Sequence, residues 1–75
     1  MNKERRTKIK QLADELKDVK TKLEYISQKE EQMLDNIPEN LQETDRYIES
    51  ENAIDVLDEV VDDLESAIES LNEIV

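Results

Sequence analysis

The chain of 75 residues contains no glycine, cysteine, histidine, tryptophan or phenylalanine. The absence of cysteine and histidine excludes disulfides and the usual zinc sites, and it removes the thiol and imidazole groups of most nucleophilic catalysis. Without glycine there is no glycine-rich loop to bind a phosphate. We therefore expect a protein that is not an enzyme and that uses no cofactor and no metal.

Long apolar runs are also absent. No stretch approaches the ~20 apolar residues that cross a bilayer, and the basic start MNKERRTKIK lacks the apolar segment that follows in a secretory signal. We expect a cytoplasmic protein that does not bind membranes. Seventy-five residues make at most one domain, and a chain of this size buries little apolar surface unless it self-associates.

Charged residues make up 41% of the chain, a composition shared by coiled coils and disordered segments. Apolar residues in the first half recur at steps of three and four, which disorder does not produce. The pattern predicts a helix over residues 3–35 with a heptad seam. Its a positions are Ile9, Leu16, Leu23, Glu30 and Ile37, and its d positions are Leu12, Val19, Ile26 and Met33. We interpret Glu30, the one acidic seam residue, as a polar position that sets the register.

The second half continues the same periodicity with a wider stripe and predicts a helix over residues 45–74. Its a and d positions are apolar, and Ala53, Val60, Ala67 and Ile74 add an apolar g row. Such a stripe suits a helix that touches two neighbours, so we predict a homodimer of hairpins that forms a four-helix bundle. The predicted self-association stripe consists of Ile54, Leu57, Val60, Val61, Leu64, Ala67, Ile68 and Leu71.

The only proline, Pro38, leaves a choice between a kink in one long helix and a turn between two helices. Pro38 has no N–H and its ring clashes with the preceding helical turn. Asn36 is able to end a helix in a left-handed conformation, and Asn40 and Thr44 offer oxygens that cap a new helix. These cues favour a turn over residues 36–44, with Thr44 as the N-cap. The predicted fold is all-α, a coiled-coil-like antiparallel two-helix hairpin that forms a single domain over residues 1–75.

The charges of the two halves differ strongly. Residues 1–35 carry nine Lys/Arg and eight Asp/Glu, a net charge of +1, whereas residues 36–75 carry one and thirteen, a net charge of −12. The basic residues within 3–10 lie at a helix N-terminus and Glu65, Glu69 and Glu73 lie near a helix C-terminus, both of which the helix dipole disfavours. We predict that an antiparallel hairpin sets these two charge blocks side by side.

Eight carboxylates of the second helix lie off its apolar stripe and form a candidate acidic partner face. Solubility alone explains such a face. A sharper hypothesis is that a rigid acidic helix imitates DNA and binds a basic DNA-binding protein. The net charge of −11 and the lack of stacking aromatics argue against nucleic acid as the partner. The face consists of Asp55, Asp58, Glu59, Asp62, Asp63, Glu65, Glu69 and Glu73.

From residue 35 onward, the turn DNIPENLQ and the acidic helix that follows resemble a group of short acidic proteins from Gram-positive bacteria and their phages or mobile elements. The resemblance implies a helical hairpin and an accessory protein that binds and modulates a host protein. It assigns a role to no individual residue. A structural or assembly coiled coil with no dedicated ligand is the alternative.

Overall fold

The computed structural model describes all of residues 1–75, and it contains two α-helices and no strand. Helix α1 spans Lys3–Asp35 and helix α2 spans Asp45–Asn72, where the sequence predicted 3–35 and 45–74. The helices pack against each other in a rod of 59 × 14 × 13 Å. The prediction of an all-helical chain with two contacting helices is confirmed. Neither helix offers an apolar segment long enough to span a membrane.

Each helix begins at a side-chain cap. The Asn2 Oδ1 accepts a hydrogen bond from the Arg5 N–H at 2.8 Å, which satisfies one of the free donors of the first turn of α1. Thr44 caps α2, as predicted: its hydroxyl oxygen accepts from the Tyr47 N–H at 3.4 Å and donates to the Leu41 carbonyl at 2.9 Å. Thr44 therefore joins the turn to the helix that follows it.

The connection between the helices is a turn and not a kink. Asn36 ends α1 with φ −92° and ψ −3°, and no residue of the chain has a positive φ, so the expected left-handed helix end is not used. The last carbonyls of α1 instead accept shorter-range bonds, from Asn36 N–H to Met33 at 3.3 Å and from Ile37 N–H to Leu34 at 3.0 Å. A short 3₁₀ helix, Glu39–Leu41, then follows Pro38.

The seam between the helices uses the predicted face of α2 but a different face of α1. The α2 side chains in the seam are buried or half-buried, and they are Tyr47, Ser50, Ile54, Leu57, Val61, Leu64, Ile68 and Leu71. From α1 come the predicted a row and, beside it, the e row of Ala13, Lys20, Ser27 and Leu34. The predicted d row is exposed, with 54% of Leu12 and 65% of Met33 accessible to solvent. The prediction that this d row faces the other helix is wrong.

Complementary groups on α2 explain why the e row of α1 faces inward. The Ser27 hydroxyl donates to the Asp58 carboxylate at 2.9 Å, and the Lys20 ammonium forms an ion pair with Glu65. Ala13 and Ser27 are only 1% and 4% exposed, and their small side chains let the two helices approach closely. The larger d row in this place would separate the helices and leave Asp58 and Glu65 against apolar groups.

The same two contacts set the register of the hairpin. Lys20 precedes Ser27 by one heptad and Glu65 follows Asp58 by one heptad, as an antiparallel pair requires. In this register α1 residues before Lys10 extend beyond the end of the chain at Val75.

The basic N-terminal block consequently does not flank the C-terminal carboxylates. Residues 3–8 are all exposed, and Lys8 pairs with Glu4 of its own helix at 3.5 Å. Glu65 pairs with Lys20, in the middle of α1, instead. The prediction that the two charge blocks lie side by side is wrong, because α1 has 33 residues and α2 has 28 and the turn holds the other ends together.

Candidate interaction surfaces

The hairpin has very little core for its amount of apolar side chain. Five of 75 residues are buried, and only three of these, Leu34, Ile54 and Ile68, are large hydrophobic residues. Twelve large hydrophobic side chains are exposed. Exposed apolar groups are ordinary when scattered, but a contiguous set on one side indicates a surface for a partner.

Two exposed apolar rows lie on the same side of the hairpin. The e rows of both helices meet on one side, where Ser27 contacts Asp58 and Lys20 contacts Glu65. Successive residues turn by about 100° around a helix, so the d row of α1 and the g row of α2 each lie on the flank opposite their e row. Both rows therefore open on the other side. This apolar face consists of Leu12, Val19, Ile26 and Met33 of α1 and Ala53, Val60 and Ala67 of α2, with Ile74 just beyond the end of α2.

The register places the two rows of the apolar face level with each other to within one residue. The face extends over about 32 Å of helix and about two helix diameters, or ~20 Å, which gives an area on the order of 600 Å². That is the upper end of the apolar patches found on ordinary monomers. Its four rungs are Leu12 with Ile74, Val19 with Ala67, Ile26 with Val60, and Met33 with Ala53.

The two edges of the apolar face carry opposite charge. The α1 edge is its g row, Lys8, Glu15, Lys22 and Lys29. The α2 edge is its c row, Glu49, Val56, Asp63 and Ser70. The Lys29 ammonium lies 5.4 Å from the centre of the Tyr25 ring on the α1 edge. Lys22 and Asp63 lie level with each other across the width of the face.

At the turn, the apolar face continues into a groove of about 600 Å³. Met33 is the last α1 residue of the face and also lines the groove. The side chains of Ile37, Leu41 and Tyr47 form its apolar wall, and Arg46, the only cation of α2, lines it as well. The groove therefore enlarges the apolar surface at one end of the rod.

The predicted self-association stripe is divided between two surfaces. Ile54 and Ile68 are buried, and four more of its members, Leu57, Val61, Leu64 and Leu71, are half-buried in the seam with α1. Only Val60 and Ala67 lie on the exposed apolar face. The d row of α1, which completes that face, was missed as a surface. The signal in the sequence was the small and polar e row of α1 opposite carboxylates at the e positions of α2.

Two of the eight predicted acidic-face residues interact with α1. Asp58 accepts the Ser27 hydrogen bond and Glu65 pairs with Lys20. The other six are exposed and form no side-chain hydrogen bond or ion pair, and they are Asp55, Glu59, Asp62, Asp63, Glu69 and Glu73. Five of these six point away from the apolar face, and Asp63 lies on its edge. No three carboxylates come together in a group that could hold a metal ion.

The fold changes the titration of Lys20. Its hydrogen bond to Glu65 raises the pKa of the Lys20 ammonium above its usual value of 10.5, and the negative charges of Glu65 and Glu24 act in the same direction. Partial desolvation opposes them. Lys20 also pairs with Glu24 of its own helix at 3.5 Å. The ammonium is therefore held in its charged form between two carboxylates.

Comparison with protein-family models, with curated proteins and with solved structures finds no match to this chain. The resemblance of its turn and acidic helix to short accessory proteins of Gram-positive bacteria and their phages therefore stays a prediction. The function has to be argued from the surfaces themselves.

Proposed function

We propose that the chain is a non-enzymatic protein-interaction module of the cytoplasm that works as a homodimer with a four-helix bundle architecture. The apolar face carries this proposal. The hairpin buries three large hydrophobic side chains and exposes six on the apolar face alone, so it gains stability when another helical surface covers that face.

The acidic residues of α2 provide a second, separate binding surface. Five carboxylates lie away from the apolar face, so they stay exposed when that face is covered. Asp55, Asp62 and Glu69 form one row of this surface, and none of them is paired with a cation. Unpaired carboxylates along a straight helix attract a cationic partner and speed its association. We assign the binding of a host protein to this acidic surface.

DNA mimicry is the most specific form of this assignment. Carboxylates three or four residues apart on a helix are separated by ~5–6 Å, which is close to the spacing of phosphates along a strand. The 28 residues of α2 extend over about 42 Å. The partner would then be a basic DNA-binding protein of the host, in keeping with the phage or mobile-element accessory role that the resemblance implies.

A structural role is the alternative from another class. The apolar face alone would serve an assembly coiled coil with no dedicated ligand, and the carboxylates would then only keep the assembly soluble. The two functions differ in what they require of the acidic surface: partner binding needs its charge, and assembly does not.

An experiment on the acidic surface separates the two functions. Tagged wild type and the variant Asp55→Asn/Asp62→Asn/Glu69→Gln are incubated with host lysate at low and high salt, with duplex DNA as competitor. A DNA-binding protein that the wild type captures, that salt and DNA displace, and that the variant does not capture supports the proposal.

The matched control removes three exposed carboxylates from α1, as Asp14→Asn/Asp18→Asn/Glu31→Gln, and should still capture the partner. Both triple variants change the net charge from −11 to −8, so a difference between them reports the location of the charge. If neither the wild type nor the control captures a basic protein, the assignment of α2 to partner binding is wrong and the structural role stands.

A further inference from the structure

We propose that a second copy of this chain covers the apolar face, in one particular arrangement. The twofold axis runs along the rod, the two turns lie at the same end, and α1 of each copy packs on α2 of the partner. This inference deepens the proposed dimer, because the sequence placed self-association on α2 alone. The area of the face supports a dimer, and the packing of the rungs and the charge of the edges support this arrangement.

The area of the face fits a dimer of modest strength. With ~600 Å² from each copy, two hairpins would bury on the order of 1,200 Å², which lies at the lower end of stable specific interfaces. The groove at the turn adds apolar surface beside Met33. A face of this size on both partners therefore reaches the lower limit for a specific interface without exceeding it.

Packing across the face distinguishes two symmetric arrangements. With the turns at the same end, residues of one rung meet across the interface, so Met33 lies against Ala53 of the partner subunit and Val19 against Ala67 of the partner subunit. At these two rungs large side chains of α1 face alanines of α2, and the larger row of α1 packs on the smaller row of α2 in both halves of the interface, which fills it evenly. With the turns at opposite ends, α1 would pack on α1, and Met33 would lie against Leu12 of the partner subunit while the smaller α2 rows met each other. Large side chains would then be crowded on one side of that interface, and the small side chains on the other side would leave it poorly packed.

The edge charges favour the same arrangement. With the turns at the same end, the basic edge of α1 meets the acidic edge of α2, and Lys22 lies level with Asp63 of the partner subunit. Neither residue has an ion pair within its own hairpin. With the turns at opposite ends, Lys22 would meet Lys22 of the partner subunit, and two strongly acidic α2 helices would lie side by side. Like charges placed opposite each other are unfavourable.

The first test is the association state. At micromolar concentration, sedimentation equilibrium should give the wild type about twice the chain mass of 8.8 kDa. Ile26→Asp places a charge in the apolar face and should yield a monomer. The matched control is Ile48→Asp, on the opposite side of α2. The two isoleucines are 52% and 44% exposed in the hairpin, so both variants cost the hairpin itself little, and only Ile26→Asp should dissociate the dimer.

The second test is the arrangement. Lys22→Glu and Asp63→Lys should each raise the dimer dissociation constant by about three- to tenfold, since each dimer contains two copies of the pair. The double variant Lys22→Glu/Asp63→Lys should return it near the wild-type value. The matched controls Lys17→Glu and Asp62→Lys make the same charge changes on the other side of the rod and should leave the dissociation constant unchanged.

Cross-linking reports the arrangement directly, because the chain has no cysteine of its own. A short bismaleimide should join Lys22→Cys to Asp63→Cys when the two proteins are mixed, and it should not join Lys22→Cys to itself. Self-cross-linking of Lys22→Cys would show that the turns lie at opposite ends.

A monomeric wild type, or a dimer that survives Ile26→Asp, would overturn the inference. Neither outcome bears on capture of a basic protein by α2, which has its own experiment.

Discussion

At the scale of single residues, Lys20 and Ser27 decide which flank of α1 faces α2. Both belong to the e row of α1, which is less hydrophobic than the d row. The e row nevertheless lies in the seam, because Lys20 pairs with Glu65 and Ser27 bonds to Asp58. A charged pair at the edge of a helical seam contributes little free energy but discriminates strongly between alternative rotations of a helix. The contact of Lys20 with Glu65 is therefore more important for specificity than for stability.

The raised pKa of Lys20 leads to a prediction on the pH dependence of stability. Because the pKa is higher in the fold than in the unfolded chain, the stabilisation is complete below pH 10.5 and is lost as pH rises through the raised pKa. An arginine keeps its charge throughout this range. The Lys20→Arg variant should therefore melt progressively above the wild type as pH increases from about 10 to about 11.5.

The control is Lys17→Arg, one turn earlier on α1, where the lysine has no ion pair. Its melting temperature should follow that of the wild type over the whole pH range. If Lys20→Arg also stays parallel to the wild type, the ion pair with Glu65 contributes no measurable stability.

At the scale of the elements, local signals predicted both helices and a long-range one decided their rotation. The step of three and four along each half, the proline and the Thr44 cap are all readable from neighbouring residues, and they place the elements. The flank of α1 that faces inward depends on carboxylates that lie about thirty residues further along the chain. Asp58, for example, accepts the hydrogen bond of Ser27. A ranking of the α1 rows by hydrophobicity selects the d row, because it does not take the carboxylates of α2 into account.

The same limit applies to the candidate surfaces. The acidic face of α2 was readable because its charge is a property of one helix. The apolar face was not, because it combines one row from each helix and exists only when Lys20 and Ser27 point inward. Of the eight residues in the apolar face, the predicted stripe on α2 includes only Val60 and Ala67.

The hydroxyl of Thr44 provides a test of what holds the turn in place. Thr44→Ala removes the cap of α2 and its bond to the Leu41 carbonyl, so it should lower the free energy of unfolding by about 1 kcal/mol. Thr21→Ala is the matched control. Thr21 lies within α1, and its hydroxyl only bonds the Lys17 carbonyl at 3.1 Å. Alanine is the better helix former there and should raise the free energy of unfolding by up to about 0.5 kcal/mol.

Chemical denaturation measured at one protein concentration gives both values. Opposite signs for the two threonines would assign the effect to the cap. If Thr44→Ala leaves the free energy of unfolding unchanged or raises it, the turn is held by its backbone bonds and by Pro38, and Thr44 is dispensable.

At the scale of the whole molecule, the hairpin separates its chemistry by side. One side carries the apolar face, and the other carries the e-row contacts and most of the unpaired carboxylates. The basic residues 3–8 extend beyond α2 and do not neutralise it. Residues 36–75 carry a net charge of −12, and Lys20 is the only cation of α1 that forms an ion pair with α2.

This imbalance predicts that salt stabilises the protein. Repulsion among the α2 carboxylates is felt over a Debye length of about 30 Å at 0.01 M salt and about 3 Å at 1 M. Screening should relieve more repulsion than it costs in the few exposed ion pairs, so the melting temperature should rise with sodium chloride at fixed protein concentration.

Asp62→Lys changes the net charge from −11 to −9 and should make that rise smaller. Asp62→Glu keeps the charge and should reproduce the wild-type slope, which separates screening from any general effect of salt on apolar surface. A melting temperature that falls with salt would mean that Lys20 and its pairs outweigh the repulsion, and α2 would then not be the unsatisfied acidic surface on which partner binding depends.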